Sequence, residues 1–219
     1  MAVIYFPGCK FKAGYPKTAQ RVADYINQSF VMTITGCCRG NLELLKEEDT
    51  AVCTCNTCSA FCNESSKATK VISIWEIIAN DENFPFPDYK GEEITLQDCW
   101  RAYDKRSVQD AVRKLMKNMN LRVVELPENF EETRFCGTSL LQTLSAYNEE
   151  FAPKRFVKDA PNDLFLPHTD EEKLTQMHAH CAEITTDRVA CYCKGCADGL
   201  NLGGKKSVHM MELLFSTTK

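Results

Sequence analysis

The sequence predicts an α/β fold of two pseudo-repeated halves, each with a parallel sheet and a cluster of cysteines at the carboxyl ends of its strands. Two observations predict this architecture. Short β-favouring apolar runs alternate with helical patterns, which is typical of parallel α/β proteins. The thirteen cysteines also follow the same order twice within 219 residues. We expect the first half to span residues 1–84 and the second to span residues 85–219.

In the first half, three predicted strands lead into cysteines, and helical patterns follow them. The predicted strands are Ala2–Phe6, Val31–Thr35 and Thr50–Cys53. The cysteines that follow these strands are Cys9, then the adjacent Cys37 and Cys38, then Cys55 and Cys58 of a CxCxxC motif. The predicted helices are Thr18–Phe30, Asn41–Glu48 and Val71–Ala79. Because ligands of open α/β sheets gather at the carboxyl ends of the strands, we expect these cysteines to converge at one edge.

The second half repeats this order with insertions. Its predicted strands are Ile94–Gln97, Leu121–Leu126 and Arg188–Ala190, and the cysteines after them are Cys99, Cys136, Cys193 and Cys196. Its predicted helices are Val108–Met119, Thr138–Tyr147, Asp170–Ile184 with Asp170 as the N-cap, and Ser207–Phe215. The segment Ala152–Pro167, which holds three prolines, is predicted to be irregular. One position breaks the repeat, because Gly137 stands where the first half has the second cysteine of its pair.

The abundance and spacing of the cysteines favour metal or redox chemistry over a disulfide framework. Cysteine makes up about 6% of the residues, below the ~8–10% that is typical of a short disulfide scaffold. The N-terminal residues lack the pattern of a secretory signal peptide, and no apolar run approaches the ~20 residues that span a bilayer. We therefore expect a cytoplasmic protein whose thiols stay reduced.

Other classes of function are disfavoured by the charge pattern and the motifs. The net charge is −4 and the lysines and arginines are dispersed, whereas nucleic-acid binding requires a concentrated basic face. The sequence has no Gly-rich phosphate loop, Ser-His-Asp set or pair of carboxylates at catalytic spacing. Hydrolysis and nucleotide-driven chemistry are therefore not expected.

The two cysteine sets differ in the centre that they can hold. The side chains of adjacent residues diverge, so Cys37 and Cys38 rarely reach one tetrahedral ion but can reach different irons of one cluster. The first half offers five well-placed thiolates, and the second offers four because of Gly137. Four thiolates suit either a cubane [4Fe-4S] cluster or a structural zinc ion.

The order Gly-Cys, Gly-Cys-Cys-x-Gly and CxxC, duplicated along the chain, resembles the cysteine-rich CCG-domain family, typified by the cysteine-rich subunit of heterodisulfide reductase. The resemblance covers nearly the whole chain and includes the motifs Ile-Trp-Glu-Ile-Ile and His-Met-Met-Glu-Leu-Leu after the two CxxC motifs. It implies a noncubane [4Fe-4S] cluster that reduces or forms a disulfide. The implied ligands are Cys9, Cys37, Cys38, Cys55 and Cys58. The chain departs from the family in two respects: only 16 residues separate Cys38 from Cys55, and Cys136 has no adjacent cysteine.

The resemblance also implies a function and partners. We expect an oxidoreductase that acts on sulfur, with a small disulfide or thiol as substrate and with flavin- or iron–sulfur-containing redox subunits as partners. The second half would hold a further [4Fe-4S] cluster or zinc through Cys99, Cys136, Cys193 and Cys196, with Cys191 as an alternative fifth ligand. Two other functions stay open, namely a non-catalytic electron-transfer subunit with cubane clusters and a zinc-stabilised interaction module.

Several residues near the motifs are candidates for roles other than metal ligation. Arg39 follows the cysteine pair and Lys194 lies inside the last CxxC. Both are candidate catalytic residues, since each could neutralise an anionic cluster or bind an anionic group of a thiol substrate; a solvated charge is the alternative. Cys53 and Cys191 hold equivalent positions and are interpreted as spare thiols or as neighbours of the ligands. The residues not expected to bind metal are Cys62, Cys181, His168, His178, His180 and His209.

Overall fold

The computed structural model describes residues 1–216, which form two units with a four-stranded, all-parallel sheet in each. The first unit comprises Met1–Ile77 and Leu144–Pro161, and the second comprises Ile78–Thr143 and the chain from Asn162 onwards. The predicted α/β class with two pseudo-repeated, parallel-sheet halves is confirmed. The division into residues 1–84 and 85–219 stays a prediction.

The two sheets have the same strand order, which is the structural form of the sequence repeat. The strands of the first unit are β1 (Val3–Phe6), β2 (Thr33–Ile34), β3 (Thr50–Cys53) and β4 (Lys70–Ser73), in the order β2-β1-β3-β4. The strands of the second unit are β5 (Glu93–Gln97), β6 (Arg122–Glu125), β7 (Arg188–Cys191) and β8 (Lys206–His209), in the order β6-β5-β7-β8. Because every pairing is parallel, the carboxyl ends of all four strands of a unit lie at one edge of its sheet.

Nine α-helices accompany the strands within residues 1–216. They are α1 (Cys9–Gly14), α2 (Pro16–Ser29), α3 (Asn56–Ser65), α4 (Ile74–Ala79), α5 (Arg106–Asn118), α6 (Ala146–Phe151), α7 (Asp170–Ala182), α8 (Lys194–Leu202) and α9 (Met210–Leu214). Helix α5 shows why these segments are helical, because it buries Val108, Val112 and Leu115 on one face at a spacing of three and four residues. None of the described helices has the length and apolar character needed to cross a lipid bilayer.

Each sheet has a fourth strand where the sequence predicts only a helix. The predicted helices Val71–Ala79 and Ser207–Phe215 are in each case a strand followed by a shorter helix, β4 with α4 and β8 with α9. Val71 and Ile72 pair with β3, and Val208 pairs with β7. The sequence pattern conceals this change, because a short, largely apolar run fits a buried strand as well as a helix.

Two predicted helices are wrong over most of their length, where the structure has a short 3-10 turn and irregular chain instead. The segment Asn41–Glu48 contains the single turn Leu42–Leu44. The segment Thr138–Tyr147 lies partly in the turn Gly137–Leu140 and partly in the start of α6. The second segment is rich in serine and threonine, whose hydroxyls compete for backbone hydrogen bonds and so favour turns over helices.

Helix α7 has a different N-cap from the predicted Asp170. The hydroxyl of Thr169 accepts a hydrogen bond from the Glu172 N–H at 3.2 Å. The Glu172 carboxylate accepts one in return from the Thr169 N–H at 2.8 Å. This reciprocal pair is a capping box, which satisfies two backbone donors at once. Asp170 is the first residue of the helix instead.

An insertion in the second half of the sequence packs on the first unit. Helix α6 and the π-helical turn Lys154–Lys158 contact helix α3. The Ser65 hydroxyl donates to the carbonyl of Phe151 at 2.8 Å. The Glu64 carboxylate accepts from the N–H of Lys154 at 2.7 Å. Part of the segment predicted to be irregular is therefore ordered, and it completes the first unit.

Candidate metal centre and cysteine cluster

Four cysteines of the second unit come together at the carboxyl ends of its strands. Cys99 follows β5, Cys136 follows β6, and Cys193 and Cys196 lie between the end of β7 and the first turn of α8. Their four sulfur atoms all lie within 4.8 Å of one another, and the Cys136 Sγ is 3.6 Å from the Sγ atoms of both Cys99 and Cys193. No other set of three or more Cys, His, Asp or Glu side chains in residues 1–216 is gathered so closely. The four residues predicted as ligands in this half are thus positioned to bind a metal ion together.

The four sulfurs lie in a largely closed environment. Cys99, Cys136 and Cys196 are buried, and Cys193 is half-buried. Hydrogen bonds from the three neighbouring thiols hold the pKa of Cys136 well below the usual value of a thiol. Burial, by contrast, raises the pKa of the Cys99 thiol. The cluster therefore favours a thiolate at Cys136, and because metals bind deprotonated cysteine, metal binding would release the protons of its neighbours.

Arg101 is a buried cation beside this cluster. It lies in the 3-10 turn Trp100–Ala102, directly after Cys99, and only 8% of its surface is exposed. Its guanidinium donates to the Cys136 sulfur and, at 3.2 Å, to the Ser139 hydroxyl. The cysteine motifs alone do not single out Arg101. The signal that could have found it is a cation two residues after a candidate ligand, within a run of apolar residues.

A second buried network holds the backbone next to Cys99. The carboxylate of Asp98 is fully buried, and it accepts hydrogen bonds from the Tyr192 hydroxyl and from the Arg113 guanidinium, each at 2.8 Å. The Tyr192 hydroxyl also accepts from the Cys99 N–H at 3.3 Å. These bonds tie the loop after β5 to Tyr192, so the segments that carry Cys99 and Cys193 are fixed to each other.

Position 137 holds a glycine where the first half has the second cysteine of its pair, and the structure gives a steric reason for this glycine. Its φ of +58° lies in the left-handed region that favours glycine. A Cβ atom at this position would come within 2.1 Å of the Gly195 carbonyl oxygen and 3.0 Å of the Gly199 nitrogen. Both contacts are with the backbone of α8, which cannot yield as a flexible side chain would. A cysteine at position 137 is therefore incompatible with the way α8 packs on the turn after β6.

The five cysteines predicted as cluster ligands in the first unit also meet at one sheet edge. Cys9 follows β1, Cys37 and Cys38 follow β2, and Cys55 and Cys58 lie between β3 and the start of α3. All five are free cysteines; the thiols of Cys9 and Cys37 are hydrogen-bonded, and the thiol of Cys58 is hydrogen-bonded to those of Cys38 and Cys55. The structure brings all five together, but less tightly than the four cysteines of the second unit. Their role as ligands of an iron–sulfur cluster stays a prediction.

The cluster of the first unit has a buried side and an open side. Cys38 and Cys58 are buried, Cys37 and Cys55 are half-buried, and Cys9 is exposed. A cavity of about 380 Å³ opens beside Cys9 and Cys37. Burial and the charge of Cys37 raise the pKa of Cys9, whereas the hydrogen bond from Cys58 lowers the pKa of Cys38. The first unit therefore has an exposed thiol beside a cavity, whereas the larger cavity of the second unit, of about 460 Å³, is lined by the buried Cys136.

The remaining cysteines lie outside both sets. Cys53 and Cys191 are the last residues of β3 and β7. The sulfur of Cys53 is 3.9 Å from that of the buried Cys62, and the thiol of Cys191 donates to the Cys193 carbonyl at 3.7 Å. Cys181 is also buried, and its thiol donates to the Leu200 carbonyl at 3.6 Å. Cys191 is not one of the four closely spaced sulfurs, so the structure gives no support to it as a fifth ligand.

The two predicted catalytic cations each have a partner in their own unit. The guanidinium of Arg39 lies over the ring of Tyr147, 4.3 Å from its centroid. The ammonium of Lys194 pairs with the Asp198 carboxylate one turn further along α8. The charge of Arg39 also contributes to the lowered pKa of Cys38, after the hydrogen bond from Cys58. Arg39 is thus placed to stabilise a thiolate, and a catalytic role for either cation stays a prediction.

The histidines do not join either cysteine set. The Nδ1 atom of the buried His209 accepts from the Met211 N–H at 3.3 Å and caps α9. Ser73 does the same in the first unit, where its hydroxyl accepts from the Trp75 N–H at 3.3 Å. His180 lies 2.6 Å from the Gln97 Oε1 atom through its Nε2. The cap that His209 supplies and the contact of His180 with Gln97 are features that the sequence pattern does not predict.

Replacing His209 with asparagine should reduce the loss of stability in acid. Burial lowers the pKa of His209 from 6.5 to about 4. The unfolded chain therefore takes up a proton at a higher pH than the folded chain, and the stabilising contribution is lost as the pH falls from about 6.5 towards about 4. Asparagine keeps an acceptor for the cap. Urea unfolding at about pH 7 and about pH 4 should show a smaller loss in His209→Asn than in the wild type, by up to about 3 kcal/mol. Equal losses would contradict this assignment.

Comparison with known proteins yields no relative for this chain. It matches no protein-family model, no curated protein and no solved structure. Membership of the CCG-domain family therefore stays a prediction from the cysteine motifs. The finding that stands independently of any family is the set of four closely spaced sulfurs in the second unit.

Proposed function

We propose that this chain is a sulfur-redox protein with two unequal metal–thiolate centres. In the proposal, the second unit binds one metal ion between four thiolates. The first unit holds an iron–sulfur cluster at which a small disulfide is reduced or formed, as in the cysteine-rich subunit of heterodisulfide reductase. The observation that carries the proposal is the tight, buried set of four sulfurs, which contrasts with the open cluster at the equivalent edge of the first unit.

The spacing of the four sulfurs favours a single ion over a cubane cluster in the second unit. With metal–sulfur bonds of about 2.3 Å, two thiolates on one tetrahedral ion lie about 3.8 Å apart. The Cys136 sulfur is 3.6 Å from two of its partners, close to that length. In a cubane cluster each thiolate binds a different iron, so the sulfurs are spread further apart. We infer zinc as the ion, since four thiolates without an open position are typical of structural zinc sites.

Metal analysis of the anaerobically purified chain tests this centre. We expect about one zinc ion per chain, because a tetrathiolate set binds a single tetrahedral ion. Replacing Cys136 with serine should remove the zinc, since Cys136 contacts two other ligands. Cys181→Ser is the matched control, because Cys181 is a buried cysteine of the same unit outside the set, and it should keep the zinc. Iron with acid-labile sulfide in the second unit would instead support a cubane cluster there.

The first unit has both buried thiols and an accessible thiol, as disulfide reduction at a cluster requires. An iron–sulfur cluster, when bound, provides a centre that passes on electrons received one at a time from a partner redox subunit. Reducing a disulfide takes two electrons and two protons and yields two thiols. The buried Cys38 and Cys58 would anchor such a cluster on its inner side. The exposed Cys9 and the cavity beside it leave the outer side accessible to a sulfur of the substrate.

Replacing Cys38 with serine should remove the cluster of the first unit and leave the zinc of the second. The reason is that Cys38 is a buried ligand candidate whose thiol is hydrogen-bonded to that of Cys58. Iron and acid-labile sulfide are measured together with the electron paramagnetic resonance spectrum, which a thiol substrate should perturb in the wild type. Cys62→Ser, a buried cysteine of the same unit outside the five, is the control that should keep both.

The iron and zinc contents of the wild-type chain also distinguish the proposed redox function from a second candidate, a zinc-stabilised interaction module. Fewer than about three irons per chain would rule out a four-iron cluster in the first unit. Zinc without iron or sulfide would then support a zinc-stabilised interaction module, because zinc has no redox chemistry. The buried tetrathiolate of the second unit is the observation that favours this alternative.

A further inference from the structure

The cavity at the sheet edge of the first unit has the size of a small-molecule site. Its volume is about 380 Å³, and small-ligand pockets commonly measure about 300–1,000 Å³. Its walls are formed by Pro7, Cys9, Lys12, Ala13, Gly36 and Cys37. The exposed thiol of Cys9 contacts that of Cys37, so a molecule in the cavity meets two cysteines at once.

The charge of the cavity is positive. Among the described residues that line it, Lys12 alone carries a charge. Lys12 follows Cys9 by three residues on α1, a spacing that puts both side chains on the same side of a helix. Its ammonium forms no ion pair within residues 1–216. The surrounding sequence is also positively charged: residues 1–40 contain five lysines and arginines against one aspartate, although the net charge of the whole chain is −4.

We propose that this cavity binds a low-molecular-weight disulfide or thiol that carries a carboxylate or a similar anionic group. The anionic group pairs with Lys12, and the sulfur of the ligand lies at Cys9 and Cys37. The proposal rests on the proposed function, which makes that sulfur the reacting atom. Beyond the proposed function, it specifies that the substrate is anionic, since a neutral disulfide of the same size fits the space but lacks the ion pair. Local positive potential also raises the rate at which anions reach such a site.

Binding of two disulfides of similar size and different charge tests the proposal. The probes are dithiodiglycolate, which has two carboxylates, and bis(2-hydroxyethyl) disulfide, which is neutral. Each is titrated against the full-length chain, purified anaerobically with its metals, and the bound fraction is followed by ligand-observed NMR. We expect dithiodiglycolate to bind about fivefold more tightly, since an exposed ion pair contributes modestly. The preference should shrink as salt is added.

Three variants assign the preference to the cavity. Lys12→Gln should remove it by weakening only the dithiodiglycolate complex. Lys10→Gln is the matched control, because Lys10 is an exposed lysine next to Cys9 that does not line the cavity, and it should keep the preference. Ala13→Leu fills part of the cavity without changing its charge and should weaken the binding of both probes.

Several outcomes would overturn the proposal: equal affinities in the wild type, no saturable binding of dithiodiglycolate, or equal effects of the Lys10 and Lys12 variants. Iron analysis of the same samples separates this failure from that of the proposed function. A chain without iron that shows the Lys12-dependent preference keeps the anion site and loses the redox function. An iron-loaded chain without the preference loses only the anion site.

Discussion

Replacing Gly137 with alanine is expected to abolish metal binding by the second unit and to lower its free energy of unfolding by about 3–5 kcal/mol. About 1 kcal/mol comes from the left-handed backbone, where φ is +58°. The rest comes from the added Cβ atom, which would lie 2.1 Å from the Gly195 carbonyl oxygen. Helix α8 must then move away, and it carries Cys196 in its first turn and Cys193 just before it.

Gly91, a second glycine of the same unit, allows the cost of the left-handed backbone to be measured apart from the cost of the steric clash. Gly91 has a φ of +79°, but a Cβ atom there would meet nothing within 4 Å. Gly91→Ala should therefore lose about 1 kcal/mol and retain the full metal content. Chemical unfolding and metal analysis of both variants measure the difference. If Gly137→Ala retained as much metal as Gly91→Ala and lost no more stability, α8 would not be held by close backbone contact.

Replacing Arg101 with glutamine is expected to weaken metal binding by about 10- to 100-fold, the usual effect of losing a residue that supports a metal ligand. Four thiolates around a divalent ion carry a net negative charge, and Arg101 is the buried cation that donates to the Cys136 sulfur. Without it the charge is buried with less compensation, which is unfavourable in a low-dielectric interior. The contact with Ser139, which fixes the turn after Cys136, is lost as well.

Competition with a chelator measures this loss and shows what causes it. Arg101→Lys keeps the charge but not the forked geometry of the guanidinium, so it should recover part of the affinity. Arg106→Gln is the control, because Arg106 is an exposed arginine of the same unit that pairs with Asp110. It should compete with the chelator as the wild type does. Equal metal retention in Arg101→Gln and Arg106→Gln would show that Arg101 does not stabilise the centre.

Much of the fold follows from local patterns that the sequence displays openly. All but one of the predicted strands end within three residues of a cysteine, and parallel strands bring their carboxyl ends to one edge, so both cysteine clusters are predictable from residue order. The fourth strands β4 and β8 are not, since Val71 and Ile72 are compatible with either a strand or a helix. What selects the strand is its pairing with β3, which is a long-range contact.

The details of the candidate site depend even more on long-range contacts. The sequence displays Gly137 as a gap in the repeat, but its cause is the backbone of Gly195 and Gly199, more than fifty residues away. The difference between a four-iron cluster and a single ion is a matter of sulfur spacing, which a count of four cysteines leaves open. Arg101 also resembles an ordinary surface arginine until its burial is known.

The segment Leu144–Pro161, which belongs to the first unit, affects how the chain folds during its synthesis. The sheet of the first unit is complete at Ser73, yet the fully buried ring of Phe61 contacts the rings of Phe151 and Phe156. A ribosome releases the chain from its N-terminus, so this apolar surface has no cover until about half of the second half has been synthesised. The boundary between the two sequence repeats is therefore not the boundary between the two structural units, and a cut there would leave the first repeat with an exposed, aggregation-prone face.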